Sequence, residues 1–198
     1  MKFKTPEMAW HWLLSQIEQH GDLVRTEDGQ LTKECLNLMA TVEDPRDGWP
    51  LPGSNWNLEG LNRYSEQLLS PEIHGFDYTY GNRLREYPDT EGQYVHDQLK
   101  YIINRLKDNP TTRRAIAITW IPDYDIYNKH VPCLQSVDFL YRAGKLHLVA
   151  YFRSWDVKQA APANMYGLAR LLSYVAEKVR VPVGSLTVIA ASAHCYEV

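Results

Sequence analysis

The stretch QSVDFLYRAGKLHLVAYFR, residues 135–153, decides the fold. Gln135 to Tyr141 and Leu146 to Arg153 are rich in β-formers. They flank Arg142-Ala143-Gly144-Lys145, and a short glycine-containing break between two such runs is a hairpin signal. In the second run Leu146, Leu148, Ala150 and Phe152 recur every second residue, so they share one face and mark the side turned to the core. Working outward, Ala115 to Ile121 reads as a buried strand, Leu186 to Ala191 as a last strand and residues 34–42 as a first one. The remaining apolar residues follow helical spacing. Trp10, Leu13, Leu14 and Ile17 lie behind the start signal Thr5-Pro6 and before the stop Gly21. Leu58 to Leu69 suits a short helix. Val95, Leu99, Ile102, Ile103 and Leu106 suit another, ended by Asp108-Asn109-Pro110. Asn164 begins a long helix with Met165, Leu168, Leu171, Leu172, Val175 and Val179 inward. Asp44 to Asn57 holds three prolines and two glycines and reads as loop. Hairpins beside separate helices argue an α+β fold, not a regular βαβ alternation. With no repeat, low-complexity tract or linker, residues 1–198 are expected to form a single domain.

Composition narrows the function classes. Hydrophobic residues are 44% and aromatics 12%, which supplies a core and excludes global disorder. A net charge of −3 gives no broad attraction for nucleic acid or lipid, so neither DNA nor a membrane is expected as a partner. Cys35, Cys133 and Cys195 are an odd set without a CxxC pair, so neither a disulfide scaffold nor a metal site is expected. Met1 to Glu7 lacks the apolar stretch of a secretion signal. A soluble, cytoplasmic protein is the expectation.

One constellation carries chemistry. Cys133 follows Pro132 at a strand start, either as a buried structural thiol or as a nucleophile that nearby arginine activates. Arg153-Ser154 lie where the strand from Leu146 runs out, and Arg113-Arg114 stand just before the strand from Ala115. Both clusters are surface charge or a phosphate site, since guanidinium groups match phosphate oxygens in a fork. Asn164 is a helix N-cap or a base reader, because a carboxamide offers the donor and acceptor that a uracil edge requires. His194 and Tyr196 alternate around Cys195 and so point to one side, where together they could bind a sugar hydroxyl.

From Tyr80-Gly81 to Tyr196 the chain resembles the thymidylate synthase family. The shared residues are Asp97-Gln98, Arg113-Arg114, Pro132-Cys133, Gly144-Lys145-Leu146, Arg153-Ser154-x-Asp156, Pro162-x-Asn164, Gly184 and His194-x-Tyr196. With Phe76 to Gly81 and Arg113 to Ala117, it looks most like the compact archaeal, methanogen-type enzymes. The resemblance implies a mixed β-sheet packed with helices, one sheet face forming a homodimer interface. It implies that Cys133 adds to C6 of dUMP and that C5 then takes a one-carbon unit from a reduced pterin, 5,10-methylenetetrahydrofolate or a methanopterin analogue. Arg153 and Ser154 would hold the phosphate, with Arg153 also favouring the thiolate. Arg113 and Arg114 would reach the neighbouring subunit's phosphate. Asn164 would select uracil, and Asp156 would hold the nucleotide and pterin ends of the site. His194 and Tyr196 would bind the 3′-hydroxyl, and Tyr80 would assist proton removal at C5.

The chain departs from the family's common members in several places. Leu134 stands after the nucleophile where they carry histidine. Glu66 is the candidate for their upstream acid, with Glu59 as rival, and Arg25 for their N-terminal phosphate arginine. The tryptophan stretch that lines their pterin site is missing, and Val198 follows Tyr196 by two residues where they continue into a closing tail. The nucleotide half is thus expected to be intact and the pterin half reduced. A pyrimidine-nucleotide hydroxymethylase acting on dUMP or dCMP, or a non-catalytic nucleotide- or RNA-binding regulator, are the competing readings. Asn164 argues against a cytosine substrate, and retention of Cys133 argues against a pure binder.

Overall fold

The computed structural model describes residues 1–73, 75–89 and 91–196; the expectation about the chain's last residues therefore falls outside them. The elements in order are β1 (Lys2–Phe3), α1 (Pro6–His20), β2 (Asp22–Arg25), β3 (Leu31–Val42), α2 (Leu58–Leu69), α3 (Tyr80–Arg85), β4 (Tyr87–Pro88), β5 (Val95–His96), α4 (Gln98–Asp108), β6 (Ile116–Ile118), α5 (Pro122–Asp125), β7 (Leu134–Arg142), β8 (Lys145–Asp156), α6 (Ala161–Val179) and β9 (Val183–Tyr196). One mixed sheet runs β1-β3-β9-β8-β7-β6, with β2 added on β3.

The hairpin at residues 135–153 is the sheet's centre. Arg142 pairs Lys145 across a two-residue turn in which Ala143 (φ 49°) and Gly144 (φ 77°) are both left-handed, the geometry that matches strand twist. Alternation then sorts the two faces. Ala40, Val188, Ala150, Val137 and Ala117 form one register row across β3, β9, β8, β7 and β6, and all are buried. The helices α1 and α6 pack on this side, and Trp10, Leu13 and Ile17 of α1 join the core. The next row, Met39, Ile189, Tyr151, Ser136 and Ile118, belongs to the opposite face, where Met39, Tyr151 and Ile118 are exposed.

The α+β class stands, with a mixed sheet packed against helices, but five local readings change. The last strand, expected at Leu186 to Ala191, runs Val183–Tyr196 and so carries His194 and Tyr196. The strand expected at residues 34–42 is longer, begins at Leu31, and follows two others. Ala115 to Ile121 is shorter than expected and only half-buried, because β6 is an edge strand whose Ile116 and Ile118 face outward. The helix containing Leu99 starts at Gln98: Asp97 accepts from the Lys100 N–H at 2.9 Å as N-cap, and this leaves Val95 outside it. Finally, β8, α6 and β9 make a true parallel crossover. In it α6 begins at Ala161, with Pro162 in its first turn, where proline is favoured. Asn164 is therefore not a cap. Its backbone N–H donates to Ala160 O at 3.0 Å, leaving the side chain for other work.

Candidate active site

At the sheet end where β8 and β9 finish and β7 begins lies a cavity of ≈ 330 Å³. The strand side supplies Cys133, Ser154, Trp155, Asp156, His194 and Tyr196, and α6 supplies Asn164. The facing side is built from Tyr64 and Gln67 of α2, from Phe76, Tyr78 and Thr79, and from Tyr80 at the start of α3. Glycine permits that closeness. A side chain at Gly81 would strike the backbone carbonyls of Gln67 and Ser70, so the glycine lets α3 lie on the end of α2. A Cβ at Gly167 would come within 2.9 Å of the Tyr64 ring, so this glycine seats α2 on α6.

Cys133 is half-buried immediately before β7. Arg153 grips the segment from the neighbouring strand: Nε donates to Pro132 O at 3.0 Å, Nη2 to Val131 O at 3.1 Å, and Nη2 lies 3.9 Å from Cys133 Sγ. Burial pushes the Cys133 thiol above its ordinary range, and Arg153 pulls it back only in part. The lowering expected from arginine is thus present as the smaller of two effects. Arg153 touches the sulfur from beside the cavity and does not line it.

The base-reading candidate is held at both ends. Asn164, 8% exposed, accepts at Oδ1 from the Trp155 indole N–H at 2.9 Å and donates from Nδ2 to the Tyr64 hydroxyl at 2.6 Å. Asp156 Oδ1 accepts from the Lys158 and Gln159 N–H groups at 3.1 and 2.9 Å, shaping the turn into α6. The His194 and Tyr196 rings pack edge to face 5.2 Å apart, both in the cavity. Burial holds His194 below the usual imidazole range, against the pull of Asp156 and Glu34. Tyr80 accepts from the Leu134 N–H at 3.3 Å, and burial raises its phenol well above the usual range. Burial also raises Tyr64, and pushes Tyr78 up to about 12. These phenols stay protonated at neutral pH.

Seven of the expected site residues therefore line one cavity, namely Tyr80, Cys133, Ser154, Asp156, Asn164, His194 and Tyr196. Glu66 does not join them. It is exposed on α2, and its rival Glu59 sits in an exposed ion pair with Arg63 at 2.8 Å. The reason is phase. At about 100° per residue Glu66 lies roughly 160° round from Tyr64, and Tyr64 and Gln67 are the α2 residues that reach the cleft. Arg25 is also exposed and donates to Gly29 O at 2.7 Å within its own turn, away from the cavity wall. That turn does approach the site, because Asp28 pairs with Lys129 at 3.1 Å in the segment leading to Cys133. Arg113 and Arg114 are exposed at the opposite end of the sheet. Ile116 pairs with Asp138, five residues along from Cys133, which at about 3.3 Å per residue separates the arginines from the thiol by roughly 16 Å or more.

Several contributors carried no expected role. Tyr64, Gln67 and Trp155 are the main ones, and the helical phase of α2 was the available signal for the first two. Another is a buried pair beneath the cleft. Arg83 and Asp125, 3% and 1% exposed, form two bonds of 2.7 and 3.2 Å. The Arg83 guanidinium lies over the rings of Tyr78 at 5.6 Å and Tyr124 at 5.4 Å, bracing the Tyr78 side of the cavity.

Comparison with known proteins identifies the family. The family model for thymidylate synthase matches residues 48–198. The chain is 44% identical over 198 residues to a protein of Methanosarcina barkeri named "Putative thymidylate synthase", covering 100% of this chain and 89% of that one. A protein of the same name from Methanosarcina mazei is 45% identical with the same coverage. One from Methanocaldococcus jannaschii is 36% identical over 205 residues, covering 98% of this chain and 89% of its own length. The chain belongs to the thymidylate synthase family, which is a family of methyltransferases. Among the described residues no helix is long and apolar enough to cross a membrane.

Proposed function

We propose that this chain transfers a one-carbon unit from a reduced pterin to C5 of dUMP, giving dTMP, with Cys133 as the nucleophile. The observation that carries the reading is Cys133 Sγ, 3.9 Å from a guanidinium nitrogen and in one cavity with a doubly anchored carboxamide. Sγ adds to C6 as thiolate, and the C5=C6 pair moves toward O4, where the remaining Asn164 N–H stabilises the developing charge. C5 is then the carbon nucleophile. Tyr80 keeps its proton, so it serves proton removal at C5 by relaying through its hydroxyl rather than as a standing phenolate. Thiolate is expelled as the ring double bond returns. Ser154 and Arg153 serve the phosphate, Asp156 orients the nucleotide, and His194 with Tyr196 takes the sugar hydroxyl.

A reduced pterin would lie beside this cavity. Phe76 and Tyr78 are shared with an adjoining pocket of ≈ 390 Å³ that also involves Gly75, Asp77 and His130, and such aromatic faces suit a flat bicyclic ring. When bound, 5,10-methylenetetrahydrofolate or a methanopterin analogue would supply the carbon and the hydride.

The working unit in this reading is a homodimer. Two features support it: the open sheet face with exposed Met39, Tyr151, Ile116 and Ile118, and the distance of Arg113 and Arg114 from their own chain's thiol. Arg113 and Arg114 of the partner subunit would then complete each phosphate site. A monomeric mass in solution at working concentration would remove that part of the reading.

The decisive experiment is C5-hydrogen release from dUMP with each candidate pterin, followed by product mass. Native protein is expected to release the hydrogen and form dTMP. Cys133→Ala is expected to fall to the limit of detection while still binding dUMP. Undiminished turnover by that variant, or a product carrying only a hydroxymethyl group, would overturn the reading.

A further inference from the structure

We propose that Trp155 sets the base specificity of the cleft by locking the Asn164 carboxamide in the orientation that suits uracil. The proposal rests on the nucleotide reading above and concerns a residue to which that reading gives no role.

An indole N–H can only donate. It meets Asn164 at 2.9 Å, so the atom there must be the oxygen, and the amide nitrogen must then face Tyr64 at 2.6 Å. Reversing the amide would set its NH₂ against the indole N–H, two donors face to face in a buried place, each without an acceptor. Tyr64 does not make this choice, because a hydroxyl can donate or accept and would serve either orientation. The indole cannot swing aside. Trp155 is 2% exposed and its ring stacks on Phe152 with centroids 5.1 Å apart.

Once these two bonds are made, Asn164 retains one acceptor lone pair and one N–H. Uracil presents O4 as acceptor beside N3–H as donor, which an oxygen and a nitrogen held in fixed places can answer. Cytosine presents the reverse pair, an amino donor beside an N3 acceptor. An unrestrained asparagine could answer it by turning over about its terminal bond. The lock, and not the asparagine alone, is what separates the two bases. A site committed to its hydrogen bonds rejects a mismatched partner strongly, since the mismatch leaves buried groups unpaired.

The test is the ratio of dissociation constants for dCMP and dUMP, measured by titration calorimetry on the native chain and two variants. The native chain should prefer dUMP. Trp155→Phe keeps an aromatic ring but removes the donor, and it should lower the preference by about tenfold or more, chiefly through tighter binding of dCMP. Tyr64→Phe leaves the indole in place, so it should weaken dUMP binding while holding the ratio within about twofold of native. A native chain without preference, or a Trp155→Phe variant that keeps the native ratio, would overturn the proposal. So would a Tyr64→Phe variant that loses the ratio, an arm that stands by itself should Trp155→Phe not fold. Binding of neither nucleotide by the native chain would overturn the nucleotide reading itself.

Discussion

Across the cleft, Cys133, Asp156 and His194 at the strand ends face Tyr64, Gln67 and Tyr80 on the helical side. The strand wall holds the groups that can carry charge, with Arg153 behind it. Among the described residues, the lining side chains of the helical wall are neutral, and burial keeps its phenols protonated. The walls are also held differently. Strand residues take their places from ladder register, as in the Asp156–His194 pairing, and from Arg153 gripping two carbonyls. Helical residues take theirs from close approach at Gly81 and Gly167. In the proposed reading nucleophile and anion chemistry falls to the sheet side. The helical side would then orient a ring with hydrogen bonds that do not change charge.

The strongest way to break this division is through Arg153. Replacing it with Gln should lower kcat/KM by about 100-fold, since a charge-assisted contact and the grip on Val131 and Pro132 are both lost. The pH profile separates charge from scaffolding. As the proposed nucleophile, the thiol would react as thiolate, so the rate should fall as pH drops below the thiol pKa. Burial raises that pKa and Arg153 lowers it, so Arg153→Gln should move the acid limb to higher pH. Arg153→Lys keeps the charge and should leave the limb closer to native. A limb that stays put in the Gln variant would mean that Arg153 acts only as a tether.

The strand wall was legible in the sequence because period-two alternation and short motif spacings report it directly. Leu146, Leu148, Ala150 and Phe152 named the core face, and His194 with Tyr196 named the cleft face. The helical wall was encoded too, but in phase and not in residue type. Residue type points to Glu66, while the buried Leu61, Ser65 and Leu68 put Tyr64 on the inward side. Asn164 looked like a cap because it follows Pro162, yet a proline can stand inside the first turn and move the start to Ala161. The parallel pairing of β8 with β9, and the distance of Arg113 and Arg114 from Cys133, are long-range facts that no local pattern contains.

A middle-sized effect should follow from crowding the helical wall. Gly81→Ala places a methyl group against the carbonyls of Gln67 and Ser70, backbone atoms at the end of α2 that cannot retreat as a flexible side chain would. Overpacking of this kind costs about 1–3 kcal/mol, readable as a lower midpoint in urea with an unchanged slope. Activity should fall with it, because Tyr80 is the adjoining residue. Native stability in Gly81→Ala would show that α3 is free to shift, and the helical wall would then be softer than its close approach implies.

The smallest expected effect bears hardest on the contrast between the walls. Glu66 is the acid nearest in sequence to Tyr64, and the neutrality of the helical wall depends on its pointing away. If it does, Glu66→Gln exchanges one exposed polar group for another, and kcat and KM should each stay within about twofold of native, as for surface substitutions generally. A tenfold loss in kcat would place a working carboxylate on the helical side. Proton transfer would then no longer have to run through neutral hydroxyls there. Paired with Gln67→Ala, which trims a residue that does line the cavity, the measurement tells phase from residue type. The larger change should come from the glutamine, although the glutamate carries the charge.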